Sequence, residues 1–310
     1  MSKRWFTRLI VCLVMVSSAA LILHSVSKNY TALSALSFQP APALLLALFP
    51  LILMHFVKGL VHLKLLRKEG LTAETDLQIL TSFFLSQVAR YFPGKVMGIA
   101  VQSLHLTGSV TGRTVWRANF TQYIITNFYT VLFLSVLLLA YSTHHGSYLA
   151  LLLPVCLVTC LFLRSNISVL VFDWLLNVLK KSGERTDTGA WNKRSLASIL
   201  VFLNLEWVCY FGFWVIVSLD TFTLYNAIVF GSIYAAASFL GMLVVVMPSG
   251  LLVREASFVW LGTVFGFGEL HLIVYGVLAR LLFTLSDLLV FGLFWFAHLV
   301  AVRFSIEDTT

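Results

Sequence analysis

Charge is what this 310-residue chain has least of: Asp, Glu, Lys and Arg together make up 11% of it, against about 25% in soluble domains. With 59% hydrophobic residues and a mean hydropathy of +0.93, that scarcity excludes a soluble globular body and predicts an integral membrane protein. Cysteine is also sparse. Cys12, Cys156, Cys160 and Cys209 all stand in apolar segments and form no Cys-x-x-Cys pair, so neither a disulfide framework nor a zinc site is expected. Paired carboxylates at metal-binding spacing and a His-rich catalytic cluster are missing, and His144-His145 reads as a polar loop. No cofactor or metal is expected. The net charge of +8 does not point to nucleic acid, because the basic residues fall between hydrophobic segments, where they orient helices toward the cytoplasm.

What the chain does have is a succession of apolar runs of about 20 residues, each enough to cross a hydrocarbon core roughly 30 Å thick. Basic loops assign their sides. Lys3, Arg4 and Arg8 precede a first span at residues 9–23, read as a retained anchor rather than a cleaved signal, and a second span at 43–63 returns to Lys64, Arg67 and Lys68. The stretch 77–106 has basic residues on both flanks and is interrupted by ARYFPGK, so it reads as a hairpin entering from the cytoplasm. Spans at 118–141 and 148–163 go out and back, residues 165–179 lie at the interface, and 180–194 form a basic cytoplasmic loop. A span at 196–219 then leads to a second interrupted stretch, 224–267, broken at Pro248-Ser249-Gly250 and lacking basic flanks, so it is entered from outside. A last span at 271–302 returns to Arg303.

The expected fold is thus an all-α polytopic membrane protein, a single integral membrane domain over residues 1–310 with both termini cytoplasmic. About six full spans and two broken or re-entrant helical hairpins form an inverted repeat of a first half, 1–179, and a second half, 195–303. Irregular backbone at membrane depth is tolerated only where protein or a water-filled cavity surrounds it, so the breaks at Pro93-Gly94 and Pro248-Gly250 predict a cavity. The alternative is a pair of full-length helices with proline kinks.

Ionisable side chains at that depth are costly and mark polar cavities. Arg90 and Lys95 flank the first break, Arg254 and Glu255 follow the second, Arg280 and Asp287 lie seven residues apart in the last span, and Glu206 lies in another. Brought together, Arg90, Lys95, Arg254 and Arg280 outnumber Glu255 and Asp287, which suits an anionic head group, most simply a phosphate held bidentately by guanidinium. Tyr91 stands beside the first break and could face the same cavity. The competing reading is structural pairing, Arg254 with Glu255 or Asp287 and Arg280 with Glu206.

Two motifs carry a family resemblance. ARYFPGKVMG, and YAAASFLGMLVVVMPSGLLVREASF followed by a helix with Arg280, resemble the lysylphosphatidylglycerol synthase/flippase transmembrane family, in order and spacing over nearly the whole chain. By resemblance, Tyr91, Pro93, Gly94 and Lys95 take the places of the first motif, and Pro248, Gly250, Arg254 and Glu255 those of the second. Ser249 and Leu252 stand where the family usually has glycine. The resemblance covers a membrane domain without an aminoacyl-transferring domain. It implies a protein of the bacterial plasma (inner) membrane that translocates an anionic phospholipid or a polyprenyl-phosphate-linked sugar, its partners being the lipid and the membrane. Two alternatives stand beside this: a noncatalytic membrane partner of a glycosyltransferase or lipid synthase, and a membrane-embedded lipid-phosphate transferase using Glu206, Glu255 or Asp287.

Overall fold

The computed structural model describes residues 41–91, 97–106, 112–142, 193–218, 221–243 and 253–307, and every regular element among them is a helix. In chain order these are α1 Ala41–Lys68, α2 Asp76–Ala89, α3 Met97–His105, α4 Gly112–Ser142, α5 Lys193–Ser218, α6 Leu224–Leu243, α7 Val253–Val264 and α8 Glu269–Glu307. Among the described residues, four helices are long and apolar enough to cross a membrane: Leu44–Lys68, Ala197–Ser218, Leu224–Met242 and Glu269–Arg303. The chain is therefore consistent with an integral membrane protein. An all-helical answer follows from the solvent, since a helix satisfies its own backbone hydrogen bonds where no water can. The expected spans at 9–23 and 148–163, the interfacial segment 165–179, most of the loop 180–194 and the breaks themselves (Pro93, Gly94, Lys95, Pro248 and Gly250) lie outside the described residues.

The helices on either side of each break are where the sequence places them, but they are unequal. At about 1.5 Å per residue, α2 with 14 residues, α3 with 9 and α7 with 12 are too short to cross, whereas α6 with 20 residues is long enough. The longer arm follows from the run 224–243, which meets no proline before Pro248.

Contacts fix the relative directions. Pro50 of α1 lies beside Gly212 of α5, Lys58 beside Glu206, and Lys64 over the Phe202 ring, so α1 and α5 run antiparallel along their length. Where α1 ends, Arg67 binds Asp76 and the carbonyls of Leu71 and Glu74, clamping the turn into α2. Glu69 pairs with Arg117 near the start of α4 at 3.8 Å, so the α2–α3 hairpin begins and finishes at that end of the bundle. The α6–α7 hairpin begins and finishes at the other end. There the Thr221 and Tyr275 hydroxyls meet at 2.6 Å, and Phe222 packs on Phe267 at 5.5 Å. Both α1 and α7 stop at a glycine in the left-handed region, Gly70 (φ 91°) and Gly266 (φ 82°), with the amide of the next residue reaching back five positions to Leu66 and Gly262.

The interior is aromatic. Trp214, Phe230, Tyr234 and Phe258 are buried together, with Phe230 edge-on to Phe258 at 5.0 Å, tying the second hairpin to α5. In lipid such packing acts through dispersion rather than water exclusion. Outward-facing Leu281, Leu288, Leu293 and Phe296 leave one side of α8 apolar and exposed.

Candidate functional site

Helix α2 ends at Arg90, whose amide bonds to the Ser86 carbonyl at 3.2 Å, and this end reaches deep into the bundle against α8. Arg90 Nη2 donates to Asp287 Oδ2 at 2.7 Å, Arg90 Nη1 to Gln87 Oε1 at 2.7 Å, and the Tyr91 hydroxyl to Asp287 Oδ2 at 2.6 Å. From α1, His55 Nδ1 stands 3.2 Å from Asp287 Oδ1. The carboxylate is 1% exposed and the arginine side chain 36%. One ion pair thus joins the protein interior to a more open face.

A second cluster forms at the start of α7. Glu255 Oε1 accepts from Arg280 Nη1 at 2.6 Å and from Arg254 Nε and Nη2 at 3.3 Å. The Arg254 guanidinium also lies over the Tyr234 ring, 5.1 Å from its centroid, a cation–π contact. Tyr91, which holds Asp287 in the first cluster, lies within electrostatic range of Tyr234 and Arg254 in the second. The ends of the two hairpins, which open at opposite ends of the bundle, therefore approach each other beside α8.

The sequence pointed to one cluster around Arg280 and Asp287, and the structure separates them. Seven residues on a helix are about 10 Å apart, so Arg280 serves the second hairpin while Asp287 serves the first. The Arg280–Glu206 pairing considered from sequence does not occur. Arg280 takes Glu255, and Glu206 on α5 faces Lys58 of α1. Glu206 is buried, and its Oε2 has no hydrogen-bond partner. Arg90, Arg254 and Arg280 each already hold a carboxylate, so an incoming anion competes for them rather than filling a bare cationic pocket.

Sequence reading missed His55, Lys58 and His62. Their spacing, three and then four residues, places all three on one face of α1, and polar residues on one face of an apolar helix are the signal that would have found them. His62 anchors a neutral network. Its Nδ1 meets Gln122 Oε1 at 2.8 Å and its Nε2 meets Gln102 Nε2 at 2.8 Å. Asn119 donates to Gln102 Oε1 at 2.8 Å, and Gln122 donates to the Lys58 carbonyl at 2.9 Å. Since Gln122 Oε1 can only accept and Gln102 Nε2 can only donate, the ring carries its proton on Nδ1. The network fastens α3 and α4 to α1. Away from the arginines, an open groove of about 580 Å³ lies at the end of α1, lined by Lys64, Arg67, Lys68 and Phe202 among others.

No family model, curated protein or solved structure matches the chain.

Proposed function

We propose that this chain is a lipid flippase that moves the phosphate-bearing head group of an anionic phospholipid or polyprenyl-phosphate-linked glycan past the paired arginines at the ends of its two hairpins. The observation that carries the reading is the approach of those ends: Arg90 and Tyr91 from the first, Arg254 and Glu255 from the second, with Tyr91 within electrostatic range of Arg254. A guanidinium suits phosphate because its planar donors match two phosphate oxygens at once.

We also propose that the two halves of the chain form an inverted-topology repeat. Helices α1 to α4 and α5 to α8 follow one pattern, a helix, a two-helix hairpin and a long helix, and their packing exchanges under that correspondence. The α2 helix packs on α8 as α6 packs on α4, α3 on α4 as α7 on α8, and α1 and α5 pack on each other. Because α1 and α5 are antiparallel, hairpins opening at opposite ends correspond to entry from opposite sides of a membrane, the arrangement of transporters that alternate access around a midplane site. The resemblance of ARYFPGKVMG and MPSGLLVRE to the lysylphosphatidylglycerol synthase/flippase transmembrane family points the same way, with the Lys64–Lys68 end in the cytoplasm.

The test is reconstitution of the purified chain into vesicles containing head-group-labelled phosphatidylglycerol in one arm and a labelled polyprenyl phosphate in the other. Chemically unchanged label crossing the bilayer in either arm supports the reading and identifies the lipid class. Label that is chemically altered, or that stays in its leaflet in both arms, contradicts it.

A further inference from the structure

We infer that binding of a phosphate-bearing head group at Arg90 is coupled to uptake of a proton by the His55–Asp287 pair. This rests on the head-group reading above and adds the ion that accompanies the lipid.

The geometry is a competition. Asp287 Oδ2 holds Arg90 and Tyr91, while Oδ1 has no hydrogen bond and faces His55 Nδ1 at 3.2 Å. Neither ring nitrogen of His55 is hydrogen-bonded, although the residue is 2% exposed. The groups facing this pair are Arg90 and Tyr91 from α2, Lys58 from α1 itself, and Glu206 from α5 behind Lys58. On α4, Gln122 and Asn119 are uncharged and bond within the His62 network rather than to this pair. Arg90 is the more accessible member of the pair, with about a third of its side chain exposed while Asp287 is enclosed.

A phosphate that engages Arg90 bidentately turns the guanidinium away from Asp287. Tyr91 still donates to the carboxylate and Lys58 still faces it, but the loss of the directly bonded guanidinium disfavours a buried carboxylate. One proton from the aqueous phase relieves this by adding to the His55 imidazole or to the Asp287 carboxyl, which face each other. Only that one N–H or O–H bond forms, and Arg90 keeps its own proton. On release of the phosphate Arg90 returns and the proton leaves. By linkage the effect is reciprocal, so head-group affinity rises as pH falls through the range in which the pair takes up the proton.

The test is calorimetric titration of the purified full chain in detergent with a short-chain, water-soluble phosphatidylglycerol, in two buffers of the same pH and different ionisation enthalpy. The expected result is a heat that differs between buffers by the equivalent of about one proton taken up per probe bound. Asp287→Asn, which removes the competitor for Arg90, is expected to bind the probe at least about tenfold more tightly and without proton uptake. His55→Gln is expected to bind with reduced uptake at neutral pH. If Asp287→Asn does not fold, the unmodified chain in the two buffers decides alone. Binding with identical heats in both buffers overturns the coupling and leaves the head-group site standing. Absence of binding overturns the head-group site and the coupling with it.

Discussion

At Asp287 the carboxylate is 1% exposed and is met by side chains from α1 and α2, so its environment rather than its sequence neighbours determines its charge. Arg90→Gln leaves that carboxylate buried without its guanidinium, and the expected loss of stability is about 3–5 kcal/mol. Arg90→Gln with Asp287→Asn removes both charges and is expected to recover most of it, as read by thermal unfolding in detergent; no recovery would mean that Arg90 stabilises the fold through other contacts. Arg254 invites the opposite test. Arg254→Lys keeps the charge and loses the planar fork that now spans Glu255 and Tyr234, so head-group translocation is expected to fall at least about tenfold while the chain still inserts and purifies as a single species. Replacing Arg254 and Glu255 together with Gln is not expected to restore translocation, because Glu255 also holds Arg280. A double mutant as active as the unmodified chain would reduce Arg254 to a counter-charge.

The first hairpin owes its shape to close contact between its arms. A Cβ on Gly98 of α3 would lie 2.6 Å from the Ser86 carbonyl oxygen of α2, and backbone cannot move aside as a side chain can. Gly98→Ala is therefore expected to push α3 off α2 and to abolish translocation, while Ser103→Ala in the same helix, which removes only a hydroxyl bonded to its own helix, leaves it largely intact. Comparable loss in both variants would contradict the role given to the close approach. The neutral network sets a second expectation at this scale. Gln122→Leu leaves the buried His62 Nδ1 without its acceptor, and the cost is expected to be about 1–3 kcal/mol, measurable as a lowered unfolding temperature.

For the molecule as a whole, the run lengths and proline breaks in the sequence were enough to place the helices now seen at 41–68, 76–89, 97–105, 193–218 and 269–307. Arg90, Tyr91, Arg254, Glu255 and Asp287 were also legible, since charged or break-flanking residues in apolar sequence are conspicuous. Of their partners, only the adjacent pair Arg254–Glu255 was legible. Pairing depends on which helices pack together, and nothing in the local sequence says that α2 meets α8 or that α1 lies against α5. His55, Lys58 and His62 share one face of an apolar helix, which the spacing does show, but what they face depends on the packing of α1.

The central claim is that the two hairpins enter from opposite sides and bring their arginines to two neighbouring clusters beside α8. Single cysteines at Thr72, Gly112, Thr223 and Gly268, all exposed at the ends of the two hairpins, test it in a background lacking Cys12, Cys156, Cys160 and Cys209. Labelled in intact, oriented vesicles with a membrane-impermeant maleimide, Thr72→Cys and Gly112→Cys are expected to react from one side only, and Thr223→Cys and Gly268→Cys only from the other. Reaction of Thr72→Cys and Gly112→Cys from opposite sides would make the first hairpin a full crossing and contradict the account.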